Sequence, residues 1–336
     1  MKKPYLYKLR FETPVHFGSA AEGGKLDEAG MILGADSLFS ALCCELAEQG
    51  AETALTCLVT MAREGKARFS DLYPFREEAG ETQYYLPRPV LPPVQMAAGD
   101  EERPRSLQRE RDDAVSRKRL KKLTHLRAHE MASFLAARRE GRPYTGVMPE
   151  FGVSSLVERV QCARAGETLP YFVRQFTFFP EAGLYGIVFW EEEKAAELST
   201  MLKSLGLSGI GGKRSSGYGK FRVEVPLDLT AARGADENTL LSLLQAEEAP
   251  WQMCLSAFLP KPEEEVILQE GWYQLLRRGG FIAGARGDKQ KKDSVHMVAA
   301  GSCFPRRLVG QMAILGQAED HEVLRYGYGM YAGLSL

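Results

Sequence analysis

No run of apolar residues in this 336-residue chain approaches the roughly 20 needed to cross a bilayer. The opening MKKPYLYKLRFE alternates where a signal peptide would carry an unbroken apolar core. Together these absences predict a cytoplasmic protein with no membrane partner. Cysteine is sparse: Cys43, Cys44, Cys57, Cys162, Cys254 and Cys303 form no CxxC pair, and no histidine stands at zinc-finger spacing. That argues against a disulfide framework or a structural metal and leaves the thiols as small buried apolar groups. Net charge is nearly absent as well, at −1. A field depends on where charges sit, however, and residues 103–127 hold ten Lys or Arg against three Asp or Glu.

The remainder is an ordinary globular composition, 44% hydrophobic and 26% charged, long enough for two or three domains. Residues 5–12 place Tyr5, Tyr7, Leu9 and Phe11 on one face, the period of a half-buried strand. ADSLFSALCCELAEQG predicts a helix with Asp36 as N-cap, Leu38, Phe39, Leu42 and Leu46 inward, and Gly50 at its end. Alternation is lost from about 66 to 165, which reads as a basic insertion with short elements of its own. YFVRQFTFFPEAGLYGIVFW, 171–190, predicts a β-hairpin about PEAG. EEEKAAELSTMLKSLGL reads as a second helix, and YGKFRVEV as a further strand. The order strand, helix, strand, strand, helix, strand is that of the ferredoxin-like split motif shared with RNA-recognition modules. An acidic, weakly helical stretch then connects to five strand-like segments, predicting a second domain of related type. The fold class is therefore α+β, with an N-terminal domain over 1–226, including the insertion and a glycine-rich loop at 209–219, and a degenerate ferredoxin-like domain over 227–336.

That loop, GIGGKRSSGYGKF, is the strongest local signal. It is not a Walker loop, because Leu207 stands where the first glycine should be and Arg214 where the hydroxyl should be. It is not a dinucleotide fingerprint either, since it precedes a strand instead of opening a helix. No nucleotide cofactor, and no other cofactor, is expected. What remains are unobstructed backbone amides at Gly211 and Gly212, flanked by Lys213, Arg214, Lys220 and the hydroxyls of Ser215 and Ser216, which suits a phosphodiester. Tyr218 adds a ring on which a base could stack. The same residues would also make a tight solvated turn that keeps a sheet edge soluble.

GIGGKRSSGYGKF closely resembles the glycine-rich loop of the RAMP superfamily of CRISPR-associated proteins. TPVHFGS, GADSLFSALCCEL and, near the C-terminus, VLRYGYGMYAGL make the combination similar to the fourth subunit of the Csm complex, the type III-A CRISPR effector. The resemblance spans residues 5 to 332 and matches most loosely in the insertion and the second domain. It implies two ferredoxin-like domains without catalysis, holding the 5′ handle of a CRISPR RNA and docking the large signalling and nuclease subunit. Gly211, Gly212, Lys213, Arg214, Ser215 and Ser216 would grip handle phosphates, with His16 nearby. The basic insertion would act as a thumb on guide RNA and the adjacent backbone subunit.

Each candidate residue also has a plainer reading. His16 could be an acid or base, an RNA contact or a loop-capping residue. Repeat-cleaving relatives often place a histidine in or near the first helix, and ADSLFSALCCELAE has none, so catalysis ranks last. His125 and His129 are four apart but lack a further ligand, so no metal is expected, and His125 falls to the basic surface beside Lys121 and Lys122. Arg117, Lys118 and Lys121 stand for a run dense enough to attract RNA by counterion release, although charge runs are usually solvated faces. Arg277 and Arg278 form a second basic point. No paired acids of a metal-dependent nuclease and no GGDD cyclase motif are present. The expectation is a non-catalytic RNA-binding scaffold; the alternative is a metal-independent repeat endoribonuclease using His16 and loop lysines.

Overall fold

The computed structural model describes residues 2–18, 26–92, 111, 115, 118–162, 168–282, 291–317 and 321–335. Its first half contains β1 (Lys2–Phe11), α1 (Ala35–Glu48), α2 (Glu52–Arg63), β2 (Arg68–Phe69), β3 (Tyr73–Glu78), β4 (Glu81–Pro87) and β5 (His125–Arg127). These are followed by α3 (Met131–Arg139), β6 (Gly152–Cys162), β7 (Thr168–Phe178), β8 (Ala182–Glu191), α4 (Ala195–Ser208) and β9 (Phe221–Val223).

β1 pairs β8 on one side and β9 on the other, and β8 pairs β3, every pair antiparallel. β4 and β5 extend the sheet beyond β3. The four strands β1, β3, β8 and β9 thus stand in the spatial order fourth, first, third, second, with α1 and α4 as the two helices between them. The sequence of element types is as read from the pattern, but the second strand is not. Tyr73–Glu78 holds that place, inside the segment read as an insertion, and the hairpin expected over 171–190 does not form. β7 pairs β6 along all 11 residues of each, in a separate two-stranded ribbon.

The reason lies in the side chains. LYGIVFW on β8 has no polar alternation and is buried on both faces, as an interior strand requires. Leu184, Val188 and Trp190 join one core beneath α1, α2 and α4, together with Tyr5, Tyr7 and Leu9 of β1. Tyr185 and Ile187 face the opposite core with Leu6. β7 alternates instead, and closing it on β6 costs only a short loop.

The second half contains β10 (Leu227–Asp228), α5 (Ala235–Gln245), β11 (Trp251–Cys254), α6 (Glu265–Leu268), β12 (Leu275–Arg278), β13 (Val295–Val298), β14 (Cys303–Phe304), β15 (Ala313–Gln317), β16 (Glu322–Arg325) and β17 (Tyr331–Leu334). A three-stranded sheet runs β14, β11, β17, with β12–β13 and β15–β16 as ribbons beside it. The connecting stretch is not a free linker. β10 adds to the first sheet against β1, and Met253, Leu255, Met330 and Leu334 complete the core that begins at Leu6.

Polar contacts bind the halves as firmly. The Asp71 carboxylate accepts the Ala35 N–H at 2.8 Å and the Ala257 N–H at 3.1 Å. It therefore satisfies the start of α1, whose N-cap is Gly34, and Asp36 is not the capping residue expected. Asp36 instead sits one residue into the helix, with its buried carboxylate ion-paired to Arg278 and Arg325 of the second half. Asp236 on α5 likewise accepts Arg127 Nε at 2.9 Å and the His129 N–H at 2.7 Å. None of the described helices is long and apolar enough to cross a membrane.

Candidate nucleic-acid interface

The glycine-rich loop joins α4 to β9 and is stitched to the chain that leaves β1. Gly212 N–H donates to the His16 carbonyl at 2.8 Å, Gly219 N–H to Pro14 at 2.9 Å, and Ile210 N–H to Gly219 at 3.0 Å. Two glycines are required by this packing. Gly211 has φ +92°, and a Cβ there would lie 2.7 Å from Cδ1 of the buried Phe17. A Cβ on Gly212 would lie 2.7 Å from Cδ2 of His16.

Past them the backbone turns sharply. Lys213 adopts a left-handed conformation, φ 62° and ψ 23°, and Arg214–Ser216 form one turn of 3-10 helix. A left-handed residue followed by right-handed ones is the geometry of an anion nest. Among the described residues, no acceptor takes the backbone N–H groups of Gly211, Lys213, Arg214 or Ser215. Left-handed lysine costs on the order of 1 kcal/mol, and strain of this kind collects at functional sites. Gly211, Ser215, Ser216 and Lys220 are exposed.

The cations nearby are steered by the β6–β7 ribbon and α1. Lys213 Nζ stands 4.5 Å above the Tyr171 ring of β7, and Arg214 Nη2 lies 3.4 Å from Glu48 at the end of α1. Tyr218 is not the free stacking surface expected. Only 5% exposed, it donates its hydroxyl to Gln175 at 2.7 Å and accepts from Arg159 Nη2 at 3.2 Å. It fastens the ribbon to the loop. Sequence reading missed Arg159, Tyr171 and Gln175, because only the pairing of β6 with β7 puts these three on one face.

His16 does lie against the loop, but it too is 5% exposed, and its Nδ1 is 2.7 Å from the Arg174 carbonyl. A carbonyl can only accept, so Nδ1 carries the proton and is spent on structure.

The described end of the basic run lies elsewhere. Arg117 falls outside the described residues; Lys118 and Lys121 are exposed on a helical segment that feeds β5. β9, next to the glycine loop, and β5 occupy opposite sides of the sheet, five strand spacings or about 24 Å apart. His125 does not belong to that surface. It starts β5, is buried with its ring centroid 6.1 Å from that of Tyr73, and has its pKa pushed down to about 4 by burial. His129 is on a different element, so the helical pairing of these two histidines does not arise. Among the described residues no group of His, Cys, Asp or Glu is placed to hold a metal. Burial raises the thiol of Cys43 to about 12 and those of Cys44, Cys254 and Cys303 as well.

Residues 247–334 match the CRISPR Csm4 C-terminal domain. The Csm4 protein of Mycobacterium tuberculosis is 26% identical over 333 residues, covering 98% of this chain and 97% of its own. That of Streptococcus thermophilus is 26% identical over 337 residues, covering 98% and 99%. Along nearly its whole length the chain is similar to Csm4 proteins. A similar fold is seen in a Csm1-Csm4 cassette solved in complex with pppApA, at 23% identity and a TM-score of 0.59, covering 99% of this chain and 98% of the other. A Csm3-Csm4 subcomplex of the type III-A interference complex gives a TM-score of 0.59 at 14% identity over the full length of both chains.

Proposed function

We propose that this chain is an RNA-binding scaffold subunit of a type III-A CRISPR effector, working in the cytoplasm and cutting nothing itself. Its glycine-rich loop holds phosphates of the 5′ handle of the CRISPR RNA. Its other surfaces dock a large signalling and nuclease subunit and a backbone RAMP subunit, the counterparts of Csm1 and Csm3 in the solved complexes of relatives. The two halves, 1–226 and 227–336, act as two ferredoxin-like units, the second degenerate.

The observation that carries this reading is the run of backbone N–H groups at Gly211, Lys213, Arg214 and Ser215 without acceptors, on a nest-shaped turn flanked by cations. Lys213, Arg214, Ser215, Ser216 and Lys220 take phosphates. His16 and Tyr218 shape the floor beneath them, and Lys118 and Lys121 meet guide RNA past the handle. The endoribonuclease reading is weaker, because His16 is buried with Nδ1 committed to a carbonyl.

Incubating the purified chain with labelled repeat RNA, with and without chelator, tests the proposal. Salt-sensitive binding with the RNA left intact is expected. Site-specific cleavage that disappears in His16→Ala would sink it.

A further inference from the structure

Asp36, Ser40, Cys44 and Glu48 recur at every fourth position of α1 and therefore share one face. Cations from distant parts of the chain hold both ends of this stripe. At the C-terminal end, Glu48 takes Arg214 of the glycine loop at 3.4 Å. At the N-terminal end, Asp36 takes Arg278 at 3.3 Å and Arg325 by a shorter contact.

A third cation joins the second group. Arg278, Arg325 and Lys292 are all fastened on the Gly279–Gly280 turn. Arg278 precedes it, Arg325 Nη2 donates to the Gly279 carbonyl at 3.1 Å, and the Lys292 N–H donates to the Gly280 carbonyl at 2.9 Å. Cys44, midway along the stripe, feels the charge of both Lys292 and Arg214.

The cluster is short of negative charge. Among the described residues Lys292 has no ion-pair partner, and Asp36 alone must serve both arginines. The nearby Asp71 carboxylate is engaged by the backbone N–H groups of Ala35 and Ala257. The Nε atoms of Arg278 and Arg325 are buried without an acceptor, and the Asp36 Oδ1 facing Arg278 is buried without a hydrogen-bond donor. Burial, and then the Arg325 charge, push the Lys292 ammonium below its usual pKa. A bound anion would relieve both deficits.

We infer that this face of α1 is a track for the phosphodiester backbone, leading from the glycine loop past Ser40 and Cys44 to a second anion subsite at Lys292, Arg278 and Arg325. From Asp36 to Glu48 the helix rises about 18 Å, room for about five stacked nucleotides at 3.4 Å each. The inference rests on the RNA-binding reading above and extends it across the junction of the two halves, which sequence reading had left as an unassigned basic point at Arg277 and Arg278.

The test is a salt titration of the full chain with a fluorescein-labelled single-stranded RNA carrying the repeat-derived 5′ handle. Lys292→Ala should weaken binding roughly tenfold and lower the log-log salt slope by about 0.7, with unchanged thermal unfolding. Lys203→Ala, an exposed lysine of α4, should change neither. If Lys292→Ala binds like the unaltered chain while Lys213→Ala with Arg214→Ala binds weakly, the track is overturned and the loop reading stands. If neither variant alters binding, both fall. Should Lys292→Ala misfold, acetylation of the unaltered chain decides: RNA must protect Lys292 from the reagent, and equal labelling with and without RNA refutes the track.

Discussion

The Gly212 N–H donates to the His16 carbonyl at 2.8 Å while a Cβ at Gly212 would stand 2.7 Å from the His16 ring. One contact therefore both fixes the glycine loop on the chain leaving β1 and forbids a side chain there. Gly212→Val should displace His16 or the loop, cost about 1–3 kcal/mol in urea unfolding, and weaken handle RNA binding at least as much as loss of one phosphate contact.

Removing the loop cations tests electrostatics apart from shape. Lys213→Ala with Arg214→Ala should lower the log-log salt slope for single-stranded RNA by about 1.4, or about 0.7 for each contact. Stability should change by less than about 1 kcal/mol, because the Arg214–Glu48 pair is partly exposed.

Lys118 and Lys121, which precede β5, and the glycine loop beside β9 lie on opposite sides of the sheet, so they should separate by RNA length. Lys118→Ala with Lys121→Ala should weaken binding of a full-length guide and leave a handle-only oligonucleotide unaffected. Equal loss on both RNAs would contradict the spacing of about 24 Å.

His125 should make the fold sensitive to acid. Burial lowers its pKa from 6.5 to about 4, so the folded state favours the neutral ring. The stability this gives is complete above about pH 6.5 and is lost as pH falls through about 4, a change on the order of 3 kcal/mol. Denaturant melts at successive pH values should show that loss, and His125→Gln should remove that share of the pH dependence.

Asp36 joins the two halves by charge. Asp36→Ala leaves Arg278 and Arg325 buried beside no carboxylate of their own and should cost about 3–5 kcal/mol. Urea unfolding measures it; a loss under 1 kcal/mol would mean the pair contributes little to joining the halves.

Much of this was readable along the chain, and the failures have specific causes. β1, α1, α4 and the strands of the second half follow from periodicity, because each presents its apolar face in local register. The glycine loop was legible because small residues, hydroxyls and cations are contiguous there. The pairing of β7 was not, since an aromatic-rich run suits a central strand and a ribbon equally, and only competition for β1 and β3 gives the interior place to β8. Tyr218 shows the same limit at a single residue: its sequence neighbours suggest a stacking ring, whereas Gln175 and Arg159, about 40 and 60 residues away, hold it as a rivet.

Composition and local pattern by themselves determined a chain of mixed helix and strand with a glycine-rich turn between a helix and a strand, because each of these depends on residues near one another. Tertiary structure alone decided that Asp36 is an ion-pair hub and not a cap, that Lys118 and Lys121 stand across one sheet from the glycine loop, and that cations of the second half reach α1. Buried charge and strand pairing are settled by whatever the folded chain brings within a few ångströms, and no spacing along the sequence records that.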